Sequence, residues 1–117
     1  MLKYIITLAL ITMLTPEAGA HTINGETVDI IDFGKISLNK FQCRDVARDS
    51  SIKRVCYDDN DNYLLVNVRG AYHHYCRIDS DTASELLSAN SIIQYYIAEI
   101  RDSDDHDCIN GGIPDQN

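Results

Sequence analysis

Between Ile52 and Ile100 the spacing of apolar residues changes once, from every second residue to about every 3.6, and the change falls at Ile78. Strands therefore precede helices in one run each, the pattern of an α+β domain. Ile52 to Tyr57 reads as a strand, Asp58 to Asn62 as a polar turn, and Tyr63 to Arg69 as a second strand. Gly70-Ala71 reads as a tight turn and Tyr72 to Ile78 as a third strand. Leu64, Val66 and Val68 alternate with Leu65, Asn67 and Arg69, which predicts one buried and one mixed face.

After Ile78, Asp79, Ser80 and Asp81 offer N-caps, Thr82 and Glu85 have capping-box spacing, and Ala83, Leu86 and Leu87 form an apolar stripe. Asn90-Ser91 interrupts, and Ile92, Ile93, Tyr96, Ile97 and Ile100 recur on one side of a second helix. The expected fold is a three-stranded antiparallel β-meander followed by two short helices that pack on the sheet. Upstream, Asn24-Gly25 between Thr22-Ile23 and Thr27-Val28 signals a hairpin, and Lys35 to Leu38 a further short strand. This predicts an N-terminal β-hairpin extension over 21–40, a main module over 41–108 and a flexible tail over 109–117.

The chain opens "MLKYIITLALITMLTPEAGA", with one early cation, a short apolar run and small residues ending Ala18-Gly19-Ala20. That is the pattern of a secretory signal peptide over 1–20, cleaved before His21. A membrane anchor needs roughly 18 or more apolar residues, and this run is shorter. The expectation is a periplasmic or secreted domain with no membrane contact after cleavage. The net charge of -8 repels phosphate backbones, so nucleic acid is disfavoured as a partner and a cationic protein of the envelope is favoured.

All four cysteines, Cys43, Cys56, Cys76 and Cys108, follow the leader, and no C-x-x-C spacing suggests a metal site. Two disulfides are expected, and sequence alone allows three connectivities. Alternation in "AYHHYC" puts His73 and Tyr75 on one face and Tyr72, His74 and Cys76 on the other. Val55 and Tyr57 point inward with the core, so Cys56 falls on the same outer face as Cys76. The connectivity expected first is therefore Cys56 with Cys76 and Cys43 with Cys108. The second bridge would close a loop of about 65 residues, for roughly 4 kcal/mol.

From Asp49 to Arg101, the runs "DSSIKRVCYD", "LLVNV", "HHYC", "ASELLSANS" and "QYYIAEI" resemble the KTSC domain, a small module named for its occurrence at the C-terminus of lysyl-tRNA synthetases. Ile52, Val55, Tyr57 and Asp58 match the family's first strand, Leu64, Val66 and Val68 its second, and Tyr75 its third. Leu86, Leu87, Ala89 and Ser91 match the first helix, and Tyr95, Tyr96 and Ile100 the end. Asp49 stands where the family has serine, His73 where it has tyrosine, Ile93 for glycine and Ile97 for asparagine. The resemblance implies a fold and brings no catalytic residues with it.

No enzymatic constellation or cofactor motif emerges from the residues themselves. A Cys76–His74 nucleophilic pair would need a thiolate, which an oxidising compartment opposes. The turn "DDNDN" lacks the glycine and glutamate of a calcium loop. A cleaved His21 would join an α-amine to an imidazole, a pair that suits Cu(II), with His74, His73 or His106 supplying the next nitrogen. The reading best supported is a non-catalytic binding module for a protein or small ligand, with copper binding or inhibition of a cationic cell-wall hydrolase as alternatives. Tyr63, Tyr72, Arg54 and Arg69 are its expected contacts on the outer sheet face, and His73 is the residue that departs from the family.

Overall fold

The computed structural model describes residues 21–22, 25–47, 51–109 and 113–114. The predicted leader, 1–20, lies outside the described residues. Among the described residues no helix is long and apolar enough to cross a membrane.

The fold is α+β, as its apolar periods require, but the sheet is larger than a three-stranded meander. Its strands are β1 (His21–Thr22), β2 (Thr27–Ile30), β3 (Gly34–Ser37), β4 (Gln42–Asp45), β5 (Ile52–Asp58), β6 (Tyr63–Val68) and β7 (Ala71–Tyr75). They lie in the order β1-β4-β5-β6-β7-β2-β3, so six strands of four to seven residues carry a two-residue edge strand. All neighbours are antiparallel except β2 and β7, which run parallel through Ile30 and Tyr72. The meander β5-β6-β7 sits at the centre. Its second turn is Arg69-Gly70, one residue earlier than expected, with positive φ at both (54° and 96°), as a two-residue hairpin needs.

The N-terminal segment pairs differently from the expected hairpin at Asn24-Gly25. β1 pairs with β4, and β2 turns back on β3 through Ile31–Phe33, where Asp32 and Gly34 supply the positive φ. The short strand predicted at Lys35 to Leu38 is β3. In a flat sheet β3 and β4 would stand five inter-strand spacings apart, roughly 24 Å. The chain from Ser37 to Gln42 reaches at most about 18 Å. The sheet must curl, and it carries β2 and β3 over the face that holds Cys56, Tyr63 and Leu65. Arg54 on β5 accordingly reaches Glu26, just before β2, at 3.2 Å.

Curling gives the sheet two cores. On one face Val55, Leu64 and Val66 pack with Ala83 and Leu86 of α1 (Ser80–Ser88) and with Ile92 of α2 (Ile92–Tyr95). The other face, expected to be mixed, is closed by Val28, Ile36, Leu38 and Phe41, which cover Cys56, Tyr63 and Leu65. Asp79 caps α1 by accepting from the Thr82 N–H at 2.8 Å, and Ser91 caps α2 through Gln94. After Tyr95 the second helix widens into a π-helical segment, Tyr96–Arg101, and the Asp102 N–H bonds to the Ile97 carbonyl five residues back.

The disulfides are Cys43–Cys56 and Cys76–Cys108, which overturns the connectivity expected first. Cys56 and Cys76 do face the same side. However, β6 lies between their strands, and two inter-strand spacings, about 10 Å, exceed the Cα separation a disulfide spans. Cys43 instead stands directly opposite Cys56 in the β4–β5 register, with the Cα atoms 4.0 Å apart.

Candidate binding cleft

The second disulfide shapes the site. It ties the chain after the π-helical segment to the end of β7, and a 3-10 turn, Asp104–His106, leads into it. The Cys76 N–H bonds to the His106 carbonyl at 2.9 Å, and the Arg77 guanidinium donates to the carbonyls of Asp105 and Asp107. An acidic tail held by one cysteine is thus fastened over several residues. On the other side the Ile31 N–H bonds to the Tyr72 carbonyl and holds the β2–β3 turn against β7.

Between these two attachments β7 has an open edge. Val68 and Ala71 flank a two-residue turn, so Tyr72 and His74 belong to the non-hydrogen-bonded pairs with β6, and their N–H and C=O groups point outward. β2 takes Tyr72 and the tail takes Cys76. The main chain of His74 faces the gap with no backbone partner among the described residues.

A cavity of about 420 Å³ fills this gap, and a second of about 420 Å³ lies on the helix side of β7; His73, Tyr75 and Arg101 line both. Because the cleft wraps around a strand edge, His73 and His74 share it although their side chains take opposite faces. Its walls are apolar. Ile31, Phe33, Ile109 and Ile113 are the large hydrophobic side chains exposed among the described residues, Ile109 at 83%, and all four line the first cavity. Asp32, Asp104 and Asp107 line it too, against Arg101, the single Lys or Arg among the described lining residues, which is paired with Asp102 at 3.0 Å.

Burial holds the His74 pKa below its ordinary value, so the ring is neutral at neutral pH; Asp107 opposes the shift and His73 adds to it. Phe33 lies against the ring, centroids 5.0 Å apart, and the Tyr63 hydroxyl meets Nδ1 at 2.8 Å. Tyr75 and Tyr96 join hydroxyl to hydroxyl across the helix side of the cleft.

The other expected contacts lie elsewhere. Tyr63 is fully buried beneath Phe41, because the curled N-terminal segment covers the outer face. Arg54 is held by Asp45 and Glu26, and Tyr72 packs against the same core. Arg69 sits in the exposed β6–β7 turn and donates to Ser51. The main chain of His21 pairs with Cys43, and its side chain lies outside the described residues. Among the described residues no group of three or more His, Cys, Asp or Glu could hold a metal ion, and Cys76 has no free thiol.

Sequence reasoning missed Arg101 and the four exposed apolar residues. Arg101 looked like a helix end, and Ile31, Phe33, Ile109 and Ile113 are scattered until the hairpin and the disulfide gather them.

The fold and cleft define a small disulfide-bonded α+β domain with an apolar, acid-rimmed groove at a sheet edge. Residues 48–103 match the family model of the KTSC domain. Searches of curated proteins and of solved structures found no significant match. Within the matched segment, Tyr57 donates to the Ile78 carbonyl at 2.7 Å, Tyr95 to Glu85 at 2.9 Å, and Asp58 accepts from the Asn60 N–H at 3.0 Å. These family positions tie turns and helices to the sheet.

Proposed function

We propose that this protein is a non-catalytic binding module that docks an extended, cationic and apolar segment of a protein partner outside the cytoplasm. The observation that carries the reading is the gathering of Ile31, Phe33, Ile109 and Ile113 on one groove that also holds three aspartates and the main chain of His74, which has no backbone partner among the described residues. An open strand edge favours a partner that adds its own backbone, apolar walls favour alternate apolar side chains, and an acidic rim favours Lys or Arg between them. The leader-like sequence and the two disulfides support an extracytoplasmic location. The acidic rim also favours one version of this reading, in which the partner is a cationic cell-wall hydrolase and docking inhibits it.

Fluorescence anisotropy of the full chain with a labelled peptide that alternates Lys with Leu or Phe tests the reading. Saturable binding that weakens with salt, and that Phe33→Asp and Ile109→Asp each abolish, is expected. Equal binding of a scrambled peptide of the same composition, or binding untouched by both substitutions, would overturn it.

A further inference from the structure

A third cavity lies away from the cleft, between β4, β5 and α1. It holds about 500 Å³ and is lined by Arg44, Tyr57, Asp59, Ser80, Ser84 and Ser88, among others. Arg44 alternates with Cys43 and Asp45 on β4, so its side chain shares the helix face with Val55, its partner in the register. The residue is part-buried, and its Nε is fully buried without a hydrogen-bond partner among the described residues. A guanidinium is always charged and presents a planar fork of donors. A planar fork of that kind pairs bidentately with a carboxylate.

We propose that this cavity binds a small zwitterion, with Arg44 holding its carboxylate and Asp59 its cationic end. Arg44 is the single cation and Asp59 the single anion among the described lining residues, one charge of each sign. That balance suits an amino-acid-like ligand and disfavours a phosphate dianion, which would meet one guanidinium and an opposing carboxylate. Ser80, Ser84 and Ser88 follow at four-residue spacing along α1 and add hydroxyls on one wall. The Ser88 hydroxyl donates to the Ser84 carbonyl and so offers the ligand its lone pairs, which an ammonium can use.

NMR titration of the full chain with glycine, 4-aminobutyrate and 6-aminohexanoate, against acetate and inorganic phosphate, tests the assignment. At least one zwitterion is expected to bind saturably, shift the resonances of Arg44 and Ser84, and exceed both anions in affinity. Arg44→Met and Asp59→Asn should each weaken it by about tenfold, the loss of one charge-assisted pair. Asp59 is in an exposed turn, so its variant reports even where the Arg44 variant does not fold. No saturable zwitterion binding, phosphate or acetate binding as tightly, or full affinity in Asp59→Asn would overturn the proposal.

Discussion

The Tyr63 hydroxyl and Nδ1 of His74 share a hydrogen bond across 2.8 Å, diagonally from β6 to β7 on the disulfide-bearing face. Burial keeps the imidazole neutral, so one ring nitrogen carries the proton and the other accepts, and either arrangement lets Nδ1 pair with the phenol. Tyr63→Phe removes one partner and leaves the ring nitrogen unpaired, so it should cost about 1–2 kcal/mol in denaturant unfolding.

The same burial makes stability depend on pH. His74 has a folded pKa below the ordinary imidazole value of about 6.5, so between the two values the unfolded chain binds more protons than the folded one. Its stabilising contribution is complete above about pH 6.5 and is lost as pH falls toward the folded pKa. Urea unfolding at a series of pH values should show this decline in the native protein. In His74→Gln, which cannot titrate, the component should vanish.

The two disulfides should be separable by function. Non-reducing peptide mapping should link Cys43 to Cys56 and Cys76 to Cys108. On the chain-entropy model, opening the 13-residue separation should cost about 3 kcal/mol, and opening the 32-residue one about 4 kcal/mol. Replacing Cys76 and Cys108 by serine should in addition weaken peptide binding, because Ile109 and Ile113 lose their anchor. Replacing Cys43 and Cys56 should lower stability and leave binding by the folded fraction unchanged.

Arg54 joins β5 to the segment folded over it, through Asp45 at 2.8 Å and Glu26 at 3.2 Å. The carboxylates are largely exposed, which limits the gain to about 1 kcal/mol for Arg54→Met. That loss should shrink in 1 M salt, where the Debye length is about 3 Å. A loss independent of salt would assign Arg54 a packing role instead.

What could be read from the sequence was local. Asp79 caps α1 as its position foretells, and Leu64 and Val66 face the helices as alternation requires. Leu65 and Cys56 show the limit, because their own strands give no sign of what covers them. Their burial depends on Leu38 and Phe41, brought in from another part of the chain by the curl of the sheet. The disulfide expectation failed for a related reason: alternation gave the right face for Cys56 and Cys76, but pairing also needs adjacent strands, and β4 was not recognised as a strand beside β5. The cleft was illegible in the same way, since its walls come from the β2–β3 turn, β7 and the tail.

The Tyr75–Tyr96 hydroxyl pair fixes the π-helical segment against β7, and with it the position of Arg101 beside His73. Burial pushes both phenol pKa values up, so both groups stay protonated and one donates to the other. Either Tyr→Phe substitution alone leaves one part-buried hydroxyl unpaired, at about 1–2 kcal/mol. The double substitution removes both polar groups, so its cost should fall short of the sum by about 1 kcal/mol in a double-mutant cycle. Strict additivity would mean that water satisfies each hydroxyl and that the pair does not clamp the helix. The clamp also predicts faster amide hydrogen exchange at Asp102 in each single variant, since its N–H bond to Ile97 closes the widened turn that Tyr96 begins.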